Sequence, residues 1–220
     1  MNNLKDKYNK NLVEELKTEL KVENAMAVPA LMKIVINIGM GEAVKNPQAL
    51  EKMADDLALI SGQKPKITKT DKAISNFGIR EGMAVGMMVT LRRARMWDFF
   101  EKLVSIVLPR LKDFRGVSRK AFDGFGNYSL GIVDHTVFPE IDPNQVDRIR
   151  SLQVIIVTSA RTDNEGLALL QKLGMPFAKE QEMKALERME ASLKEEKKEA
   201  LKMKEMRKAE GKQDAEDEKI

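Results

Sequence analysis

The sequence predicts an α+β fold: a mixed or antiparallel sheet covered on one face by helices, followed by a C-terminal helical extension. Three observations lead there. Segments of helical and alternating apolar period follow one another as helix, strand, helix, two strands, helix, strands, helix. The alternating segments carry one apolar side and one largely polar side, as in a sheet with a single covered face. From Ala178 on, Lys, Glu, Ala, Leu and Met dominate, and Gly and Pro vanish apart from Gly211.

Element by element, residues 3–21 space Leu4, Tyr8, Leu12, Leu16 and Leu20 along one helix face, and Pro29 stops any continuation. KIVINIG at 33–39 alternates Ile34, Ile36 and Ile38 against Val35 and Asn37, a strand with one buried face. Asn46-Pro47 opens a second helix with Leu50, Met53, Leu57 and Ile60 at spacings of three and four, closed by Ser61-Gly62. PKITKTDKAIS puts Lys66, Thr68 and Thr70 on one side and Ile67 on the other. VGMMVTLRR at 85–93 puts Met88, Thr90 and Arg92 opposite Val89 and Leu91. Between these strands Gly78 and Gly82 flank an exposed loop. Trp97, Phe100, Val104, Val107, Leu108 and Leu111 then make a helical stripe that Pro109 ends or kinks. Asp123, Gly124, Gly126 and Asn127 form a turn. YSLGI at 128–132, HTVFPEI at 135–141 and QVIIVTSA at 153–160 read as strands, and a short helix from Asp163 stops at Gly174. A sheet covered on one side leaves Asn37, Lys66, Thr68, Met88, Thr90 and Arg92 on its free face.

Domain organisation follows from composition. Residues 1–177 form one domain, and 178–220 a charged, solvated helix with Glu190–Lys194, Glu195–Lys198 and Glu199–Lys202 at helix-face spacing. Its apolar stripe is broken by Glu196, which is too poor for a coiled coil. The net charge of +4 is unevenly spread. Residues 63–95 hold eight basic against two acidic residues, and residues 110–120 five against one, on an acidic remainder. Two basic regions of this kind suit a polyanionic partner.

Much chemistry is excluded. With no cysteine and one histidine there is no thiolate zinc site, no cysteine nucleophile and no histidine pair; carboxylates are plentiful enough for an acid/base pair, but none stands on an apolar background that would tune its pKa, so neither a metal site nor a catalytic residue is expected. The longest uncharged stretches, such as Gly82 to Leu91, are ten residues, well short of the ~18 of a membrane span. The N-terminus lacks an apolar signal segment, so a cytoplasmic location is expected. The competing reading is a nucleotide-binding enzyme using the GMG turn at 39–41. It is weak because Val44 holds the third glycine position of the dinucleotide fingerprint. The two glycines are read instead as letting the backbone turn tightly and approach a neighbour, and His135 as structural.

INIGMGEA at 36–43, ISGQKPKITK at 60–69, GMMVTLRRARMWDFFEKL at 86–103, LKDFRGVS at 111–118, FDGFGNYSLGI at 122–132 and FPEID at 138–142 together resemble one family. It is the bacterial large-subunit ribosomal protein that binds 5S rRNA, of the universal L-five family. The resemblance covers about residues 3–177, with the motifs in family order. It implies a helix-backed antiparallel sheet without catalysis or cofactor. The family sits in the central protuberance, holds 5S rRNA against the large-subunit rRNA, touches P-site tRNA and bridges to a small-subunit head protein.

By that resemblance Asn37, Gln63, Thr90 and Arg92 contact 5S rRNA, with Lys64, Lys66 and Lys69 on phosphates. The loop from Asp71 to Gly82 corresponds to the tRNA-contacting loop, with Lys72, Asn76 and Arg80 on the backbone and Phe77 stacking or anchoring. Arg110, Lys112, Arg115, Arg119 and Lys120 correspond to the bridge or larger-rRNA region. Residues 178–220 extend beyond the usual family pattern, and a protein-contacting or surface helix is expected there.

Overall fold

Four helices lie against a five-stranded sheet in a computed structural model that describes residues 3–178 apart from Lys45 and Asp113. The helix expected over 178–220 lies outside the described residues, Ala178 apart. The first helix, α1, joins Asn3–Lys7 and Val13–Glu19 through a wider π turn at Tyr8–Leu12. It buries Tyr8, Leu12 and Leu16, the expected stripe. Helix α2, Pro47–Ser61, starts on the Asn46 side chain and stops at Gly62, whose φ of 65° few other residues adopt cheaply.

Helix α3 begins at Arg93–Lys102 and reaches Leu108–Arg110 through a π turn, Leu103–Val107. Pro109 explains that turn. Its ring clashes with the carbonyl four residues back and it donates no hydrogen bond, so the helix widens upstream, with Leu108 N–H on the Leu103 carbonyl. The chain turns extended one residue after Arg110. Helix α4, Asp163–Lys172, is capped by the Thr162 side chain.

The strands are β1 (Leu31–Gly39), β2 (Lys66–Lys69), β3 (Ala84–Leu91), β4 (Tyr128–Ile132) and β5 (Leu152–Thr158). They pair in the order β2-β3-β1-β5-β4, antiparallel throughout, so the expected α+β class is the observed one. The covered face carries Ile34, Ile36, Ile38, Met87, Val89, Leu91, Val154 and Ile156, all 2% exposed or less. Against it pack Leu57, Ile60, Phe100, Leu103 and Val107 from the helices.

Two expectations fail locally. HTVFPEI is not a strand: His135–Val137 is a 3₁₀ turn. The Asp134 carboxylate accepts from the Thr136 N–H at 2.7 Å and its hydroxyl at 2.6 Å, which closes the chain. Ile141 N–H then returns to the Phe138 carbonyl. The buried residues His135, Phe138 and Ile141 recur every third position, a 3₁₀ period that resembles alternation over so short a run. The strand at 66–69 is also shorter than expected. Thr70 has left the ladder after a register shift, and its hydroxyl and amide bind the Arg80 and Met83 carbonyls. Ile67, expected inward, is 42% exposed on this edge strand.

Candidate nucleic-acid interface

Pairing register decides which side chains share the uncovered face. Lys66, Met88, Asn37, Gln153 and Gly131 are successive cross-strand partners, a row over all five strands. At about 4.8 Å per strand it spans roughly 19 Å. A neighbouring row holds Thr90, Val35, Ile155 and Ser129; another holds Thr68, Gly86 and Gly39. Arg92 follows the last paired residue of β3 in extended conformation, φ −139° and ψ 161°, and is exposed. Asn37, Lys66, Thr68, Met88 and Thr90 therefore share a face as the alternation predicts, with Arg92 at its end.

Near the Arg92 end, Gln63 and Lys64 lie in the turn between α2 and β2. Ser61 fixes that turn by donating its hydroxyl to the Gln63 carbonyl at 2.9 Å, and the Gln63 side chain accepts from Arg95 at 3.4 Å. Lys64 and Lys69 are exposed. Lys69 follows Thr68 after the register shift and is not in the Lys66–Thr68 set.

Five cations are ion-paired away from this face. Lys52 pairs with Asp147, Lys102 with Glu140, Arg148 and Arg150 with Glu42, and Lys172 with Glu15. Hydrogen bonding from Arg150 holds the Glu42 carboxyl below its ordinary range. Among the described residues Lys64, Lys66, Lys69, Lys72 and Arg92 have no carboxylate partner. A face of amide, hydroxyl and unpaired cation, with half-buried Val35, Met88, Ile155 and Val157 between them, suits sugar edges and phosphates. It offers no nucleophile-and-base pair among the described residues.

The loop at 71–82 extends the β2–β3 hairpin. Ile74 and Ile79 form an isolated bridge, Ser75–Phe77 a 3₁₀ turn, and Gly82 N–H returns to the Thr70 carbonyl. Lys72, Asn76, Phe77 and Arg80 are all exposed; Phe77, at 75%, anchors nothing among the described residues. The basic segment is a separate region. Arg110, Lys112, Arg115 and Lys120 are exposed and Arg119 half-buried, and Val117 ties the segment to Pro176 and Phe177 rather than to β1–β3.

The nucleotide reading of Gly39–Gly41 does not survive. The sheet has no parallel pair, the GMG stretch leads into a 3₁₀ turn at Gly41–Val44, and α2 begins only at Pro47. The expected tight approach is also absent: neither glycine has positive φ, and a Cβ on either would meet nothing within 4 Å.

Sequence reasoning missed the β4 and β5 half of the face. Ser129, Gly131 and Gln153 line, with Asn37, Gly39 and Ser151, a shallow groove of about 400 Å³. Alternation of Gln153, Ile155 and Val157 against Leu152, Val154 and Ile156 was the available signal.

Among the described residues no helix is long and apolar enough to cross a membrane. Comparison with known proteins agrees with the motifs. Residues 24–80 match the family model for ribosomal protein L5, and residues 84–177 match the model for the C-terminus of that ribosomal family. A protein of Caldanaerobacter subterraneus subsp. tengcongensis, "Large ribosomal subunit protein uL5", is 55% identical over 81% of this chain and all of its own length. Namesakes from Roseiflexus castenholzii and Desulforapulum autotrophicum are each 56% identical over 79% and 80% of this chain, and 97% and 99% of their own. On the antiparallel helix-backed fold, both family matches and these full-length relatives, the chain belongs to the ribosomal protein L5 family, a non-enzymatic structural constituent of the large ribosomal subunit.

Proposed function

We propose that this chain binds 5S rRNA on the uncovered sheet face and attaches it to the large-subunit rRNA in the central protuberance of the cytoplasmic ribosome. Asn37, Gln63 and Thr90 supply hydrogen bonds to ribose and base edges in a wide, shallow RNA minor groove. Arg92, Lys64, Lys66 and Lys69 supply phosphate contacts. The observation that supports this reading is the shared open face: register brings Asn37, Lys66, Thr68, Met88 and Thr90 together with Arg92 at their end, and among the described residues Lys64, Lys66, Lys69 and Arg92 have no carboxylate partner.

The loop at 71–82 contacts P-site tRNA, with Lys72, Asn76 and Arg80 on the backbone and exposed Phe77 available for stacking. The segment from Arg110 to Lys120, with Lys112, Arg115 and Arg119, faces the larger rRNA or the small-subunit head protein. Residues 178–220 extend beyond both family matches, and we propose that they contact another protein.

Titration of 5S rRNA with the full chain tests the main claim. Affinity falls steeply with salt, and Asn37→Ala and Arg92→Ala weaken it. Salt-insensitive binding, or none, contradicts the proposal.

A further inference from the structure

Taking an ammonium out of water is costly unless its donors find partners, so a largely hidden lysine needs a local reason. The Lys102 side chain on α3 is only 19% exposed. Its Nζ donates to the Glu140 carboxylate at 2.6 Å and to the Ile60 carbonyl at 2.7 Å, and stands 5.8 Å and 5.9 Å from the ring centres of Phe99 and Phe138. The carboxylate and the rings compensate the charge. Neither requires a donor to reach across to another helix. Ile60 is the second-last residue of α2. Carbonyls in a helix's last turn lack an intrahelical donor and carry the negative end of the helix dipole. Gly62 N–H serves the Ala58 carbonyl at 2.8 Å, and Lys102 serves that of Ile60.

The residues after Ile60 make this contact more than a cap. The Ser61 hydroxyl meets both the Gln63 carbonyl, at 2.9 Å, and the Gln63 N–H, at 3.3 Å. Arg95, two helical turns before Lys102 and so on the same face of α3, donates to the Gln63 side chain at 3.4 Å. The turn that presents Gln63 and Lys64 is therefore held twice from α3, by Lys102 at the helix end it leaves and by Arg95 at its side chain. Between the two contacts lies an open hollow of about 310 Å³, lined by Ser61, Gly62, Arg95 and Lys102. Packing alone does not fix the turn.

We propose that Lys102 is a positioning residue for RNA recognition: by capping α2 it fixes Gln63 and Lys64 for their partner, and it touches no RNA itself. The inference rests on the reading of Gln63 as a 5S rRNA contact. The Glu140 bond ties the chain around Ile141 to α3 and serves the fold. The Ile60 bond serves recognition. Because two different hydrogen bonds of one ammonium carry the two duties, substitutions can separate them.

The test uses the full chain carrying Lys102→Met, Glu140→Met or both, read by thermal unfolding and by titration with 5S rRNA at several salt concentrations. Each single variant leaves a lone charge and melts earlier; the pair leaves none and recovers much of that loss. Affinity follows a different order. Lys102→Met, alone or in the pair, binds about fivefold more weakly, the effect of about one hydrogen bond, while Glu140→Met stays within about twofold of the unaltered chain. The salt slope is unchanged, since no phosphate contact is lost. Gln63→Ala also loses about fivefold, and adding it to the pair loses nothing further, whereas independent losses would multiply to about 25-fold. Should Lys102→Met not fold, the charge-free pair carries the test. Failure of the unaltered chain to bind 5S rRNA overturns the proposed function and this inference with it. When the unaltered chain binds, undiminished affinity of the pair or of Gln63→Ala, an equal loss in Glu140→Met, a multiplied loss, or a salt slope lower by about one overturns this inference alone.

Discussion

Neighbouring residues of β1 have opposite fates. Ile34, Ile36 and Ile38 are 1% exposed or less and sit beneath helices, while Val35 and Asn37 between them stay half-buried on the open side. The backbone is shared, and only the period of two separates the packed side from the open one. The covered side holds the fold by removing apolar surface from water; the open side keeps unpaired cations and unspent hydrogen-bonding groups. Stability and RNA affinity should therefore separate along a single strand.

The largest expected effect lies on the covered side. Ile36→Ala should cost about 2–5 kcal/mol in urea unfolding while the remaining folded protein binds 5S rRNA as before. One position along, Asn37→Ala should leave the unfolding midpoint almost unchanged and weaken RNA binding. Arg92→Ala should go further, with a loss of about tenfold or more and a salt slope reduced by about one. If Ile36→Ala abolished binding by the folded fraction, or Arg92→Ala unfolded the protein, the two sides would not be separable.

Two smaller effects concern buried titratable groups. Burial pushes both tyrosines above their ordinary 10.0, Tyr128 to about 12, where its hydroxyl donates to the Ser118 carbonyl at 2.7 Å. Their contribution is whole below pH 10 and is lost as pH rises through the folded values, so ultraviolet titration of the native chain should show little phenolate at pH 10. His135 is fully buried, and burial lowers its pKa from 6.5. Its Nδ1 accepts the Arg150 N–H at 3.2 Å, while Asp56 stands 4.0 Å from Nε2 and Asp134 precedes it in sequence. Protonation would turn that acceptor into a donor. The folded pKa lies below the unfolded one, so stability is present above about pH 6.5 and declines as pH falls below it. Burial raises the Asp56 pKa, which acts oppositely at lower pH. His135→Gln should flatten the decline between pH 7 and 5, the smallest expected change.

The architecture was legible wherever one period ran long enough. α2 has a sustained stripe, an Asn cap and a glycine stop, and every one of these signals is realised. β1 and β3 alternate over eight or nine residues, and register carries that alternation onto a shared face. Short runs misled. The third-residue spacing of His135, Phe138 and Ile141 looked like a strand until Asp134 closed the turn. The β4–β5 half of the open face was hidden because glycine and serine are weak signals until pairing sets them in one row with Asn37. Gly39 and Gly41 suggested a tight backbone approach that only coordinates could refute.

The absence of cysteine allows the most direct test. Single cysteines at Met88 and Gln153 on the open face, and at exposed Glu51 and Ser105 on the helical layer, report accessibility through thiol alkylation. With saturating 5S rRNA, labelling at the first two should slow at least about tenfold while the helical positions react as in free protein. Protection confined to the helical positions, or the same at all four, would contradict recognition through the uncovered face.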